Sequence, residues 1–499
     1  MRLKFNSKIL SLLDLVRDLL SPQQDLYIVG GAVRDALLGR KLHDLDFAMS
    51  DNPTTLARSL AKRLNAGFFV LDDDRHTARV ILQNGEESFF PLDFVQFTGD
   101  GLREDLENRD FTINALAVSI RDLAVTIDPL GGKADLKAGL IRACSETALM
   151  DDPVRVLRGI RLAVQFDLDF AAGLDGQMCE AAGFLPKTSH ERQRDEFFRI
   201  LEGPDPAKAM KYCRAFGIFD TLIPPLVEQE LIPASPPHVL PLFDHTIAVV
   251  DGMFTLLACL KTGGKNSDDS TWFLQRAIEE LGQFSGEIDA YFDEEITPLR
   301  SKGGLALFGS LLHDVGKPLT VKSDEEGWLH YYNHAEVGAE IARETAKRLH
   351  LSNAESDWVE TLVQYHMDLI PMVNADDTPS RRTIYRFFKS AGEVGVAISL
   401  LSLADTLATY GKNLTREKWN SAVSVTKVLL SAWWEHQETV VSPPLLLDGN
   451  DLQAKFDLKP GKKIGWLLEE LGEGQASGKI NTKEEAIDFI RKSLANSDS

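Results

Sequence analysis

The chain has 499 residues, of which 44% are hydrophobic and 26% are charged, and its formal net charge is −21. This length exceeds what one hydrophobic core supports, so we expect three or four domains in an ordinary soluble protein. The acidic charge argues against a large non-specific nucleic-acid binder, because phosphate binding favours basic surface. A local basic groove can nonetheless lie on an acidic protein.

The N-terminal stretch MRLKFNSKILSLLDLVRDLL predicts an amphipathic helix rather than a targeting segment. It contains acidic residues and no small-residue cleavage site. No window holds 18 uninterrupted apolar residues, so we expect no membrane span. The four cysteines are scattered and form no CxxC pair, which predicts buried thiols in a reducing compartment and a cytoplasmic protein.

The first 130 or so residues mix strand and helix signals, which predicts a small α/β region. The short β-type runs are LYIVGG, GFFVLD, ARVILQ, FFPLDFVQF and AVTIDPL. Helical patterns cover residues 33–38 and 53–64. The alternation of the two patterns places the following motifs at strand ends and helix starts.

From Asp151 onwards the strand signal gives way to helical periodicity, as in DPVRVLRGIRLAVQF and ERQRDEFFRILEG. Two Pro-containing segments, PASPPHVLP and VVSPPLLLDGNDL, predict linkers. We therefore expect four parts. They are a head at residues 1–148, a helical neck at 149–232, a helical domain at 238–415 and a small helical C-terminal unit at 442–499.

A glycine pair and two closely spaced aspartates lie in YIVGGAVRDALLGRKLHDLDFAMS. Gly30 and Gly31 follow a predicted strand and lead into a helix, where backbone N–H groups can approach phosphate oxygens. Asp44 and Asp46 are two residues apart, so in a strand they share one face. Two such carboxylates favour a hard cation such as Mg²⁺ between them. An isolated DxD is more often a solvated strand edge, but the combination with the glycines and Arg34 predicts a metal-assisted nucleoside triphosphate site.

GGAVRDALLGRKLHDLDFAMS resembles the signature of class II tRNA nucleotidyltransferases. These are the CCA-adding enzymes and bacterial poly(A) polymerases of the DNA polymerase beta-like superfamily. Four further motifs resemble those of the family and follow in order within roughly the first 200 residues: ENRDFTINALAV, DPLGGKADL, DDPVRVLRGIR and SHERQRDEF. The second motif departs from the usual pattern, because Asn108 stands where the family normally has Arg.

The resemblance implies an α+β fold: a small mixed-sheet DNA polymerase beta-like head, a mainly helical neck, a helical HD domain and a small helical C-terminal unit that contacts tRNA. It implies Mg²⁺-dependent, template-free addition of C and/or A to the 3′ end of tRNA from CTP and ATP, with no DNA or membrane as partner. Asp44 and Asp46 would bind the metals, and Gly30, Gly31 and Arg34 the triphosphate. The remaining nucleotide-binding residues implied are Arg109, Asp110, Asn114, Asp152, Arg155, Arg158 and Arg161.

The fourth motif has both a functional and a structural interpretation. In the family its Asp and Arg read the Watson–Crick edge of the incoming base, which maps onto Asp152 and Arg155, and this donor–acceptor pattern suits C and A. The alternative is a helix start with Asp152 as the N-cap and Pro153 at the first helical position. Arg158 and Arg161 extend a basic ridge or form a solvated helix face.

The product of the reaction stays open at this stage. CCA-adding members usually carry a long flexible loop before the second motif, but only about FTGDG separates strand and helix here. This shortening resembles enzymes that add only CC, and it equally resembles HD-fused members of unassigned role. CC-only and A-only addition therefore stand as alternatives. Poly(A) polymerase shares every head motif, but the chain has no large basic C-terminal extension to favour it.

A second set of residues suggests another metal site. SLLHDVGKP places His313 and Asp314 side by side at the end of an apolar helix, where a buried ionisable pair needs a partner such as a metal. With His245 upstream and Asp405 downstream, the order H…HD…D resembles the HD phosphohydrolase superfamily. The resemblance implies one divalent metal, such as Mn²⁺, Ni²⁺ or Mg²⁺, on these four residues, and Lys317 as a phosphate contact.

His334 and His366 could complete a second metal site or contact substrate. HD domains fused to such heads are associated with phosphodiesterase or phosphatase activity. The alternatives are an inactive HD domain that only contacts tRNA, and a regulatory HD hydrolase whose head senses nucleotide. The intact Asp44 and Asp46 argue against the latter. An RNA-binding scaffold with both sites inactive would require both sets of residues to be coincidence.

Overall fold

The computed structural model describes residues 3–73, 76–83, 89–261, 271–374 and 378–497. The chain folds into two compact units. The first comprises Met1–Glu196 and Ala215–Thr221, and the second comprises Phe197–Arg214 and Leu222–Ser499.

The first unit is built on a seven-stranded mixed sheet, with the strand order β3-β4-β5-β2-β1-β6-β7. The strands are Leu26–Val29 (β1), Leu45–Met49 (β2), Gly67–Asp72 (β3), Thr77–Gln83 (β4), Phe89–Gln96 (β5), Ala117–Ser119 (β6) and Asp122–Ile127 (β7). β2 and β5 run parallel, whereas the other neighbouring strands are antiparallel. The predicted α+β class with a mixed-sheet head is therefore confirmed.

The two central strands owe their burial to alternating apolar residues. Phe47 of β2 and Phe94 of β5 are fully buried, and their rings stack with centroids 4.8 Å apart. The residue before each phenylalanine is an aspartate, and Asp46 of β2 lies opposite Asp93 of β5 in the parallel register. Side chains alternate between the faces of a sheet, so the phenylalanines face the core and both aspartates face the other side.

Short helices surround this sheet and continue beyond it. They are Ser7–Asp18 (α1), Gly31–Leu38 (α2), Pro53–Leu64 (α3), Leu102–Glu107 (α4), Gly132–Ala138 (α5), Ala148–Asp151 (α6), Arg155–Phe166 (α7) and Leu174–Ala182 (α8), with the small strand pair Leu140–Ile141 (β8) and Asp169–Phe170 (β9). The helices predicted at the N-terminus, at 33–38 and at 53–64 are confirmed. The chain then runs through His190–Leu201 (α9), Pro206–Ala215 (α10) and Ile218–Leu222 (α11).

One predicted helix start was wrong. The helix of the fourth motif begins at Arg155 with Val154 as its N-cap, so Asp152 is not the cap. Asp152 has an extended backbone, with φ −146° and ψ 92°, and its carboxylate pairs instead with Arg192 of α9. The carboxylate is therefore held by a side chain 40 positions away rather than by local backbone N–H groups.

The second unit is almost entirely helical. Its helices are Pro224–Glu228 (α12), Leu242–Lys261 (α13), Trp272–Leu281 (α14), Ser285–Asp293 (α15), Lys302–Leu312 (α16), Lys317–Thr320 (α17), His334–Arg348 (α18), Asn353–Tyr365 (α19), Ile370–Val373 (α20), Arg381–Ala391 (α21), Gly395–Tyr410 (α22), Arg416–Glu435 (α23), Gly449–Phe456 (α24), Lys462–Ala476 (α25) and Lys483–Ser497 (α26). Two small antiparallel pairs join them: Glu295–Thr297 (β10) with Arg300–Ser301 (β11), and Val321–Ser323 (β12) with Leu329–Tyr331 (β13).

Helices α13 and α22 form the centre of this unit. They cross closely at Gly252, where a Cβ atom would come within 3.3 Å of Ala404. The stretches Leu242–Lys261 and Arg381–Asn413 are long and apolar enough to cross a membrane by length and composition. Their most apolar windows are 56% and 72% buried inside the protein, which is typical of core helices.

The last three helices have their own small apolar cluster, which includes Leu452, Leu467 and Ile490. Charged contacts tie this cluster to α21, where Arg382 and Arg386 both bind Glu473 of α25. The four cysteines form no disulfide. The prediction of buried thiols holds only for Cys213, since Cys144 and Cys259 are half-buried and Cys179 is exposed.

Candidate active sites

Three carboxylates come together on the polar face of the head sheet. Asp46 lies in β2, Asp44 precedes that strand by one residue, and Asp93 lies in β5 directly opposite Asp46. Asp44 and Asp46 share a face because side chains in an extended chain repeat every two residues. Asp93 was not predicted as a site residue. Its position between the apolar Leu92 and Phe94 indicates that it lies on the polar face of the sheet, but only the pairing of β5 with β2 places it next to Asp46.

Burial and mutual repulsion make this cluster a candidate cation site. Burial, followed by the charges of Asp44 and Asp93, raises the pKa of Asp46 from 3.8 to about 6. Burial and the Asp93 charge likewise raise the pKa of Asp44. Asp93 is bound by Arg79 through two hydrogen bonds, of 2.7 and 2.8 Å, which offsets part of the negative charge. The donor set contains only carboxylate oxygens, so these residues fit Mg²⁺.

Gly30 is required at the edge of this cluster. Its φ of +73° lies in the left-handed region that favours glycine. A Cβ atom there would lie 3.0 Å from the guanidinium of Arg109 and 3.6 Å from Oδ2 of Asp46. Glycine therefore keeps the space beside the carboxylates open at the start of α2, where N–H groups can approach an anion.

The predicted sugar and phosphate contacts form a connected polar network. Nη1 of Arg34 donates to Oδ1 of Asn114 at 2.5 Å, and Nδ2 of Asn114 donates to Oδ1 of Asp110 at 3.1 Å. Arg158 binds the other oxygen of Asp110 at 2.8 Å. Burial opposes the ionised form, but Arg158 together with hydrogen bonds from the Phe111 N–H and the Asn114 side chain outweighs it, and the pKa of Asp110 is lowered. Because these side chains already bind one another, they form a rigid wall, and their contact with nucleotide stays a prediction.

The structure places the two predicted base-reading residues side by side, with Nε of Arg155 3.9 Å from Oδ2 of Asp152. The rest of the Arg155 guanidinium donates to the backbone carbonyls of Asn108, Arg109 and Ala148 at 2.9–3.1 Å. Arg155 therefore also holds the second motif against α7.

Two salt bridges anchor this region to α9. Nη2 of Arg192 binds Oδ2 of Asp152 at 2.6 Å. Arg161 binds Glu196 at 2.8 Å. The pairing of Arg192 with Asp152 is not predictable from the sequence, since nothing local to either motif indicates it.

A buried group of histidines and aspartates lies in the second unit, and its members come from α13, the end of α16 and α22. Nε2 of His245 is 3.2 Å from Asp405 and 3.5 Å from Asp314, and Nε2 of His313 is 3.2 Å from Asp314. His245, His313 and Asp314 are each only 1% exposed. Nδ1 of His245 and Nε2 of His313 have no hydrogen-bond partner among the described residues. Four predicted ligands, up to 160 positions apart, are thus brought together.

His334 and His366 approach the same carboxylate from its other oxygen. Their Nε2 atoms lie 3.4 and 3.7 Å from Oδ1 of Asp314 and 3.4 Å from each other. Nδ1 of each faces a backbone carbonyl, that of Tyr331 at 2.8 Å and that of Val363 at 2.6 Å. A carbonyl only accepts, so each neutral ring carries its proton on Nδ1 and turns the Nε2 lone pair inward.

Lone pairs and a carboxylate that face one another at these distances repel unless a cation lies among them. Asp314 divides the group into two candidate metal clusters, one with His245 and His313 and one with His334 and His366. Imidazole nitrogen and carboxylate oxygen suit Mn²⁺ or Ni²⁺. The donor chemistry therefore fits the divalent metal that the sequence implied.

A cavity of about 880 Å³ opens from this group. Asp314, Asp405 and Lys317 lie in its lining, and Tyr331 and Tyr410 lie beside them. Nζ of Lys317 binds Oδ2 of Asp314 at 2.5 Å. A phosphate group bound in this cavity would lie next to Lys317 and the candidate metal ligands.

Three family models match parts of the chain. A poly A polymerase head domain matches residues 26–142. A probable RNA and SrmB-binding site of polymerase A matches residues 175–229. A putative tRNA nucleotidyltransferase domain 2 matches residues 319–490.

Two bacterial relatives match nearly the whole chain. An A-adding tRNA nucleotidyltransferase of Deinococcus radiodurans is 30% identical over 93% of this chain and 94% of its own. A CC-adding tRNA nucleotidyltransferase of Thermus thermophilus is 32% identical over 94% and 93%. Among solved structures, a Thermotoga maritima CCA-adding enzyme complexed with tRNA has the same fold, with a TM-score of 0.60 at 21% identity over 98% of this chain and 97% of that one.

Proposed function

The chain belongs to the class II tRNA nucleotidyltransferase family, and we propose that it adds nucleotides from CTP or ATP to the 3′ end of tRNA without a template. The observation that carries the proposal is the cluster of Asp44, Asp46 and Asp93 beside the glycine turn at Gly30. The raised pKa values of Asp44 and Asp46 are typical of carboxylates arranged for a divalent cation.

Each part of the head has a role in this reaction. Asp44 and Asp46 would hold Mg²⁺, which, when bound, supplies charge stabilisation to the triphosphate. The tRNA 3′-oxygen forms a bond to the α-phosphorus, the bond to pyrophosphate breaks, and the hydroxyl proton leaves to solvent. The N–H groups that follow Gly30 would bind phosphate oxygens, and Asp152 with Arg155 would bind the base edge.

We infer that the addition is partial, and that two C residues are its product. The connection between β5 and α4 is only residues 97–101, so the head has no room for a long loop there. The two relatives described above, which match over more than nine-tenths of this chain, carry the names of A-adding and CC-adding enzymes. The short connection favours CC addition.

Labelled-nucleotide incorporation into a tRNA transcript that lacks its 3′ CCA tests the transferase activity. Asp44→Ala and Asp46→Ala should each abolish incorporation in Mg²⁺, because the cation loses a ligand. Asp51→Ala is the matched control, since Asp51 is an exposed aspartate just beyond β2 and should keep full activity. Incorporation that survives both site variants would refute the metal assignment.

The residues around Asp314 support a second function, which is metal-dependent hydrolysis of a phosphoester in an HD-type domain. These residues, called the Asp314 group, are His245, His313, Asp314, His334, His366 and Asp405. The carrying observation is that the Nε2 atoms of His245, His313, His334 and His366 all face the buried carboxylate of Asp314. Lys317 lies where it can bind a phosphate oxygen.

Two measurements test this second function. Metal content of the purified protein, by mass spectrometry, should be about two divalent ions per chain at this group and should fall in His313→Ala. Hydrolysis of p-nitrophenyl phosphate with added Mn²⁺ should be lost in His313→Ala and kept in Asp46→Ala. Equal metal content and equal hydrolysis in both variants would refute the site.

The domain boundaries and the location are proposals of the same kind. We propose a head at 1–148, a neck at 149–232, the HD-type domain at 238–415 and a tRNA-contacting unit at 442–499. The absence of any disulfide among the four cysteines agrees with a reducing cytoplasm.

A further inference from the structure

A β-hairpin with exposed aromatic side chains borders the Asp314 cavity. Its strands β12 and β13 pair with Lys322 opposite His330. Leu329, His330 and Tyr331 line the cavity, and the carbonyl of Tyr331 binds Nδ1 of His334, one of the inward-facing histidines. The hairpin is therefore fixed directly to the metal-binding group.

A row of rings runs along β13 and its two flanking residues, at the rim of the cavity. His330 is the central residue of β13, and Trp328 and Tyr332 flank the strand on either side. Trp328 is 44% exposed and Tyr332 is 64% exposed. The rings of His330 and Tyr332 are nearly parallel, at 16°, with centroids 5.7 Å apart.

Local contacts hold the row in place. Nε2 of His330 lies 2.8 Å from Oδ2 of Asp324, and Oδ1 of the same aspartate accepts from the backbone N–H of Trp328 at 2.8 Å. Exposed aromatic rings do not gain the favourable free energy of burial. A rigid row of such rings at the surface therefore indicates a flat ligand that stacks on it.

We propose that this hairpin binds unpaired nucleotides at a single-stranded RNA end and positions the terminal phosphate of that RNA in the Asp314 cavity. This inference rests on the proposed phosphohydrolase function and names its substrate class. Rings that stack on bases next to a cation that binds the backbone are the features of single-strand recognition. Lys322 pairs with His330 across the hairpin and supplies that cation. The acidic tip, Asp324, Glu325 and Glu326, would repel the RNA backbone from that end of the hairpin.

The reaction at the cavity floor is a hydrolysis with water as the co-reactant. The water oxygen forms a bond to phosphorus, and the bond between phosphorus and the ribose oxygen breaks. A water proton passes to that oxygen, so the products are an RNA hydroxyl end and inorganic phosphate. Lys317 would bind a phosphate oxygen during this step.

The test compares two substrates on the full-length protein loaded with Mn²⁺. One is a six-nucleotide RNA with a labelled terminal phosphate, prepared once with a 3′-phosphate and once with a 5′-phosphate. The other is p-nitrophenyl phosphate, which carries no base. Trp328→Ala and Tyr332→Ala should lower kcat/KM for the RNA about tenfold, the size of one lost base stack, and leave the small substrate unchanged. Phe69→Ala removes a similarly exposed ring from the head and should change neither.

Binding of the same fluorescent RNA, measured by anisotropy, provides a readout independent of turnover and should weaken about tenfold in the two hairpin variants. Unchanged RNA turnover and binding would overturn the inference. An equal loss on both substrates would also overturn it, because the hairpin would then only support the metal group. If wild type hydrolyses neither substrate, the hydrolase function fails, and the anisotropy alone decides whether the hairpin binds RNA.

Discussion

Substituting Asp46 by Asn should stabilise the metal-free head while abolishing nucleotide incorporation. Burial and, after it, the charges of Asp44 and Asp93 raise the pKa of Asp46 from 3.8 to about 6. At about 1.4 kcal/mol for each pKa unit, ionising Asp46 costs the folded head about 3 kcal/mol. The raised pKa fixes the sign: the cost is absent below pH 3.8, grows as pH rises and is complete above about pH 6.

Hydrogen exchange of the strand peptides in the presence of EDTA measures this cost. All seven tryptophans lie at or beyond Trp272, so tryptophan fluorescence cannot report on the head. At pH 8 the amides of β1, β2 and β5 should exchange up to about 100-fold more slowly in Asp46→Asn than in wild type. At pH 4 the two proteins should differ little. Equal protection at pH 8, or the same gain at both pH values, would refute the reasoning.

Three further predictions follow from single contacts. Asp93→Asn should lower kcat/KM for CTP incorporation about 10- to 100-fold, because it weakens the carboxylate cluster. Full activity would show that Asp93 is not part of the site. Asp152→Ala should lower the preference for CTP over UTP about tenfold or more in competition assays, because a base-edge contact is lost, and an unchanged preference would assign the residue to structure alone. Gly316→Ala should reduce the metal content and Tm of the second unit, since its Cβ would lie 2.2 Å from the carbonyl oxygen of His334. Gly286→Ala, whose Cβ meets nothing within 4 Å, should keep both, and a normal Gly316→Ala protein would contradict the packing.

Local patterns predicted the elements whose physics is local. The short β-type run GFFVLD forms strand Gly67–Asp72, and the helix after Asn52 covers Pro53–Leu64. The same patterns failed where a distant side chain decides the outcome. DDPVR looks like a capped helix start, but Asp152 pairs with Arg192 and the helix begins later, at Arg155.

The candidate sites show the same division. Asp44 and Asp46 follow from period-two spacing, whereas Asp93 joins them only through the parallel pairing of β2 with β5. No spacing rule connects His245 to Asp405, so that set came from resemblance to a family rather than from periodicity. The orientation of His334 and His366 supports the metal argument, because Nδ1 of each ring faces a backbone carbonyl and Nε2 faces Asp314. The sequence cannot predict where these carbonyls lie.

Extension of three tRNA transcripts tests whether the protein adds two C residues to tRNA. The transcripts end before the CCA, after CC and after CCA. Each is incubated with Mg²⁺ and labelled CTP or ATP, and the products are resolved at single-nucleotide length. The first transcript should gain two C residues and no more, and the other two should not be extended. Continuation to a full CCA end would overturn the argument from the short connection between β5 and α4. Failure to extend any of the three would contradict nucleotidyl transfer to tRNA itself.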